Sequence, residues 1–151
     1  MKRNHVQPLG ISAGLIDTGA IIAIIDVSSA SHQSCLEALA TLKMPLLTSE
    51  AVLTELFHLI RSRSLSIENT WRFVRSGALT VSSVNDDDLP AIETLMKKYA
   101  DYPMDFADAT LVHLAARERL SLILTIDYDD FSTYRLPGRK KFTILPSRLR
   151  R

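Results

Sequence analysis

The stretch Gly14-Leu15-Ile16-Asp17-Thr18, continued by Gly19-Ala20-Ile21-Ile22-Ala23-Ile24-Ile25, opens as a short apolar run that stops at an acid. Leu15 and Ile16 suit a strand buried on both faces, which belongs in a parallel sheet covered by helices. Asp17 closes that strand, and the apolar residues from Gly19 to Ile25 start a helix. The same alternation recurs down the chain. Ser31 caps a helix to about Lys43, with Leu36, Leu39, Ala40 and Leu42 inward, and Pro45-Leu46-Leu47-Thr48 is a brief strand. Ser49 caps a helix whose apolar positions Val52, Leu53, Leu56, Leu59 and Ile60 follow the 3.6-residue period. A helix over Ser66 to Ser76 stops at Gly77, and Leu79-Thr80-Val81 is the next strand. Asp86-Asp87-Asp88 opens a helix to about Ala100, an acidic run that suits the positive end of the helix dipole. Asp105 or Phe106 starts a helix through Arg119, Leu122-Ile123-Leu124-Thr125 is a strand leading to Asp127, and Phe142-Thr143-Ile144-Leu145 is the last strand. The expectation is an α/β fold: a three-layer α/β/α sandwich around a mainly parallel sheet.

Composition sets the outer limits. The chain has 151 residues, 46% hydrophobic and 23% charged, enough for one domain and too apolar for a wholly disordered chain. No repeat or Pro/Gly-rich linker divides it, so the expected organisation is an N-terminal arm over 1–13, a domain over 14–146 and a basic tail over 147–151. One cysteine, Cys35, excludes an internal disulfide framework. Met1-Lys2-Arg3 before an apolar stretch imitates a secretory signal, but Asp17 interrupts it. No apolar run approaches the ~20 residues a bilayer requires, so a cytoplasmic protein without a membrane partner is expected. The net charge of +1 conceals an asymmetry: all 17 acids lie between Asp17 and Asp130 among only nine Lys/Arg, a formal −8. Arg135, Arg139, Lys140, Lys141, Arg148, Arg150 and Arg151 then follow without an acid.

The acids are placed where chemistry could use them. Ligands of open parallel sheets bind at the carboxyl ends of the strands, where Asp17 and Asp127 project. Glu55 interrupts an apolar helical stripe, and Asp105 and Asp108, three residues apart, share a helix face. Such acids cannot all be buried ionised without compensation, and few bases are placed to pair them. A divalent cation would resolve the conflict, and hard oxygen ligands select Mg²⁺ or Mn²⁺. Each acid also has a plain alternative: Asp17 as a turn former, Glu55 solvated, Asp105 as an N-cap, and Asp127, Asp129 and Asp130 as turn chemistry.

Four motifs carry a resemblance. Leu15-Ile16-Asp17-Thr18-Gly19, Thr48-Ser49-Glu50-Ala51-Val52-Leu53-Thr54-Glu55, Asp105-Phe106-Ala107-Asp108-Ala109 and Leu124-Thr125-Ile126-Asp127-Tyr128-Asp129-Asp130-Phe131 resemble, in order, the motifs of PIN domains, and in particular of the VapC-type toxins of bacterial toxin–antitoxin pairs. The resemblance covers about residues 14 to 146. It implies an RNase H-like sandwich and a metal-dependent endoribonuclease, with Asp17, Glu55, Asp108 and Asp127 as the acids of a Mg²⁺ or Mn²⁺ site. Thr125 matches the hydroxyl residue that supports the last acid. The arm before the first acid is longer than the family's usual one, and Asp105 is an additional acid beside Asp108 that could share ligation. The resemblance also implies an RNA substrate, an antitoxin partner and a homodimer.

Other readings stand beside this one. Asp17-Thr18-Gly19 resembles the catalytic loop of aspartic proteases, which needs a second such loop. A PIN-like module that binds RNA or protein without cutting is a non-enzymatic alternative. His58 lies one turn after Glu55 as a candidate neighbour of the site, while His5, His32 and His113 share no metal-ligand spacing. Trp71, Phe73 and Phe57, with Arg61, Arg63 and Arg75 nearby, are either a partner surface or core with solvated arginines. Arg135, Arg139, Lys140 and Lys141 are expected to draw RNA phosphates toward the acids.

Overall fold

The computed structural model describes residues 13–148, so residues 1–12 of the expected arm over 1–13 and residues 149–151 of the expected tail over 147–151 lie outside the described residues. The elements run β1 (Leu15–Ile16), α1 (Thr18–Ile25), α2 (His32–Ala40), β2 (Leu46–Thr48), α3 (Glu50–Ser62), α4 (Ile67–Val74), β3 (Leu79–Val81), a 3₁₀ turn over Asp86–Asp88, α5 (Leu89–Lys98), α6 (Phe106–Glu118), β4 (Leu122–Leu124), α7 (Tyr128–Thr133), β5 (Arg135–Leu136), β6 (Lys140–Lys141) and β7 (Thr143–Leu145). Five strands form one sheet in the order β3-β2-β1-β4-β7, with every pairing parallel. β5 and β6 form a separate antiparallel hairpin. Helices flank the sheet, giving the expected three-layer sandwich. α1 packs on α2, α3 and α4, while α6 packs on α3 and α5.

β1 is the central strand because nothing in it needs water: Leu15 and Ile16 are fully buried between β2 and β4. Gly14 allows that insertion, since a Cβ there would stand 2.7 Å from the Leu122 carbonyl oxygen. The strand is shorter than the sequence suggests. Asp17 turns the chain, with extended backbone and its own carboxylate accepting the Thr18 N–H at 2.7 Å, so Thr18 already belongs to α1.

Other expectations shift by a turn. Ser31 precedes α2 but makes no capping hydrogen bond, and the buried side of α2 is Cys35 and Ala38, continued by Leu42, with Leu36 and Leu39 half-covered and Ala40 exposed. Ser49 and Ser66 do cap α3 and α4, accepting the N–H groups of Val52 and Asn69. The acidic run Asp86–Asp88 forms a 3₁₀ turn of its own, with α5 beginning at Leu89. The segment after Asp127 is α7 rather than a simple turn. No helix among the described residues is long and apolar enough to cross a membrane.

Candidate metal centre

Parallel pairing brings the ends of β1, β2 and β4 to one edge. There the Asp17 N–H donates to the Leu124 carbonyl at 3.0 Å, and the Thr48 hydroxyl donates to the Ile16 carbonyl at 3.1 Å. Thr125, directly after β4, is buried beside Asp17. Its hydroxyl donates to Asp17 Oδ2 at 3.1 Å and accepts the Asp127 N–H at 3.0 Å, so one side chain orients two of the expected acids. Gly19 keeps this corner tight, because a Cβ there would come within 2.7 Å of Ile126.

The helical acids arrive from α3 and α6. Glu55 is half-buried one turn beyond the fully buried Val52, as an acid within an apolar stripe should be. Asp105 caps α6, its Oδ1 accepting the Asp108 N–H at 2.7 Å, so its plain reading as a cap is met. The two helices are joined underneath by the Ser49 and Thr110 hydroxyls, 2.8 Å apart and both buried. Glu55 and Asp105 share a cavity of about 720 Å³ with His58 and Phe106. A larger cavity, about 1090 Å³, lies between α5 and the β5–β6 hairpin and is lined by Lys98, Tyr99, His113 and Arg135. No carboxylate lines it, whereas Glu50, Glu55 and Asp105 line the smaller one.

Electrostatics bind the acids into one group. Asp17 is 3% exposed, and burial pushes its carboxyl well above the ordinary range; the charges of Asp108 and Asp127 push the same way, against hydrogen bonds from Thr18 and Thr125. Asp108 is raised to about 7, first by burial and then by Asp105, with Asp130 and Asp127 adding to it. Glu55 is raised by burial and by the charges of Asp105 and Asp127. No lysine, arginine or histidine among the described residues forms an ion pair with Asp17, Glu55, Asp105, Asp108 or Asp127. Their donor atoms are carboxylate oxygens backed by a hydroxyl, the hard set that suits a small divalent cation. Among the described residues no three such groups close on a single point at ligating distance, so the acids form a loose group and not a finished cage.

Two members of this neighbourhood escape the sequence reading. Asp130, read as turn chemistry, has its carboxyl raised by burial and by the charges of Asp127 and Asp105. Tyr134, fully buried, donates its hydroxyl to Asp108 Oδ2 at 2.8 Å. A pattern of acids cannot signal a phenol 26 residues away. Asp129, by contrast, pairs with Arg148 at 2.9 Å.

The basic candidates separate. Arg135 turns its guanidinium back onto the carbonyls of Ser132, Thr133 and Tyr134 and so closes the end of α7, whereas Arg139, Lys140 and Lys141 are exposed on the hairpin. His113 bonds Asp88 and His32 bonds the Ala23 carbonyl. Cys35 is buried. Trp71 is 47% exposed and stacks on Phe57 with ring centroids 4.6 Å apart.

The PIN domain family matches residues 14–136. Ribonuclease VapC26 of Mycobacterium tuberculosis is 30% identical over 135 residues, covering 87% of this chain and 99% of that protein. Among solved structures, M. tuberculosis VapC20, described as a sarcin-ricin loop cleaving toxin, superposes with a TM-score of 0.68 at 21% identity, covering 78% of this chain and 92% of the other. A toxin–antitoxin complex from Klebsiella pneumoniae gives 0.61 at 18% identity, covering 83% and 93%. VapBC2 of Rickettsia felis, bound to a promoter DNA fragment, gives 0.62 at 14%, covering 87% and 98%. The structural likenesses speak to the fold, and the family match and the 30% identical relative to descent: this chain belongs to the PIN domain family, among its VapC-type members.

Proposed function

We propose that the chain is an endoribonuclease that hydrolyses RNA phosphodiester bonds with Mg²⁺ or Mn²⁺ and serves as the toxin of a toxin–antitoxin pair. The observation that carries this reading is Asp17: a buried carboxylate faced by the charges of Asp108 and Asp127, with no ion-pair partner among the described residues. Kinship with a ribonuclease at 30% identity supports the substrate class.

In this reading Asp17, Glu55, Asp108 and Asp127 hold the cation, and Asp105, whose Oδ1 is engaged as a helix cap, has Oδ2 left to contribute. A cation held there would lower the pKa of a water so that it can give up a proton and supply hydroxide, and would offset the charge that grows on the phosphate oxygens. The protein's own residues do the positioning. Thr125 fixes the Asp17 carboxylate and the Asp127 backbone together, so the two sheet-edge acids keep one spacing during turnover. The group contains no thiol among the described residues, and a nucleophile from water suits it. Arg139, Lys140 and Lys141 attract the RNA backbone from the exposed hairpin, while Arg135 holds that hairpin to α7.

The antitoxin and a second copy of the chain are the proposed protein partners. The exposed Trp71 and Ile67 on α4 offer an apolar surface for one of them. A cytoplasmic location and the proposed 14–146 domain boundary fit the same picture. The test is incubation of purified protein with total RNA. Cleavage with Mg²⁺ or Mn²⁺, abolished by EDTA and by Asp17→Asn, is the expected result. Intact RNA bound equally well with or without the metal would favour the non-cutting PIN-like module.

A further inference from the structure

Tyr134 sits at the end of α7, and Asp127 immediately precedes the beginning of the same six-residue helix. The Tyr134 ring is fully buried and packs edge-on against Tyr99 and Phe131, at 5.1 and 5.2 Å between centroids; Phe131 packs in turn on Phe142. A buried phenol needs a hydrogen-bond partner, and this one has selected a carboxylate of the acid group, Asp108 Oδ2 at 2.8 Å. Asp108 Oδ1 has no hydrogen-bond partner among the described residues. One short helix thus carries Asp127 at its head and, at its foot, the hydroxyl that grips Asp108.

We infer that Tyr134 is a positioning residue for the cation site: its hydroxyl fixes the Asp108 carboxylate with Oδ1 left open to a metal and, through α7, sets the spacing of Asp108 from Asp127. This rests on the cation-site reading above. The bond is charge-assisted when Asp108 is ionised, which makes it strong enough to hold one rotamer. The aromatic cluster removes the ring's own freedom, so the restraint is passed to the carboxylate rather than absorbed.

The test is Mn²⁺ binding by calorimetry, with no RNA present, on wild type, Tyr134→Phe and Tyr99→Phe. Tyr134→Phe keeps the ring and removes only the hydroxyl. Loss of an outer partner of a metal ligand typically weakens metal affinity ~10–100-fold, and a drop of at least about tenfold is expected. Tyr99→Phe removes another hydroxyl of the same cluster, one that accepts the Arg135 N–H at 2.8 Å and touches no acid. It should lower the melting temperature and leave Mn²⁺ affinity at the wild-type value. In cleavage assays, excess Mn²⁺ should restore Tyr134→Phe toward wild type. Wild-type Mn²⁺ affinity in Tyr134→Phe, or an equal loss in Tyr99→Phe, overturns the inference while leaving the cation site standing. A wild-type protein that binds no Mn²⁺ refutes the cation reading itself, and the role of Tyr134 with it.

Discussion

Asp88 and Asp17 are both covered aspartates at the mouth of a helix, yet their surroundings are opposite. Asp88, its side chain 13% exposed, accepts the Asn85 N–H at 2.8 Å, His113 Nε2 at 2.7 Å and Arg117 Nη1 at 3.1 Å, and these partners hold its carboxyl down at about 2. Arg117 also reaches the Ser83 carbonyl and the Ser82 hydroxyl, so the cluster pins α6 to the chain after β3. Asp17 is more deeply buried, has two hydrogen-bond donors and no ion-pair partner among the described residues, and meets other acids instead. A carboxylate supplied with cations by its own chain is fixing structure. A group of carboxylates left without them destabilises the ion-free fold, and is explained if a cation comes from solution.

Exchange of the two aspartates should break the comparison most visibly. Asp17→Asn should lower RNA cleavage at least about a hundredfold, since charge stabilisation by a catalytic metal is worth several kcal/mol and each ~1.4 kcal/mol is tenfold. Its melting temperature without metal should stay equal or rise. Asp88→Asn should do the reverse, lowering the melting temperature while cleavage survives; gel-based cleavage and thermal melts of both variants decide. Thr125→Val, which removes the hydroxyl linking Asp17 to Asp127, should reduce cleavage by about ten- to a hundredfold with the fold retained in circular dichroism.

Metal should act on one group only. Saturating Mg²⁺ stabilises whatever state binds it, by about 2.7 kcal/mol at a hundred times its Kd. A rise in melting temperature is therefore expected for wild type and Asp88→Asn and not for Asp17→Asn.

The two groups should also oppose each other in pH. Asp108, raised to about 7, and Asp17, raised too, have folded pKa values above their unfolded ones. The Asp108 contribution is complete below the unfolded carboxylate range and is lost as pH rises through about 7, and that of Asp17 is lost in the same direction. Asp88, held at about 2, contributes stability above its unfolded value that is lost as pH falls toward 2. Metal-free melting temperature should thus decline as pH rises from about 4 to about 7, a slope that Mg²⁺ flattens, and Asp88→Asn should soften the limb below that range alone. The smallest effect concerns the tail: deleting Ser147–Arg151 removes three arginines, one of them paired with Asp129 and set 4.6 Å over the Tyr128 ring. RNA affinity should fall modestly, more so at low salt, with the log–log salt slope reduced by up to about 2; filter binding across a salt series reads it.

The sequence made some of this legible and hid the rest for physical reasons. Short apolar runs ending in acids signal buried parallel strands, because burial on both faces forbids polar alternation, and β1, β2 and β4 lie where those runs do. Helix starts at Ser49 and Ser66 are legible because a hydroxyl before a helix has one common use. Hidden were distinctions set by tertiary partners. The acidic run marks Asp88 as a structural acid at a helix start, but its capture by His113 and Arg117 from α6 is a tertiary contact the run does not show. Asp130 and Asp129 are neighbours, yet one faces the acids and the other pairs with Arg148. Arg135 carries the same charge as Lys140, but it is spent on α7 carbonyls.

The most direct measurement is a calorimetric titration of Mn²⁺ into wild type, Asp17→Asn and Asp88→Asn at a pH above the value of about 7 to which Asp108 is raised. Binding by wild type and Asp88→Asn with loss in Asp17→Asn is the predicted result. Equal binding by all three proteins, or none by wild type, would contradict the claim that the unpaired acids form a cation site.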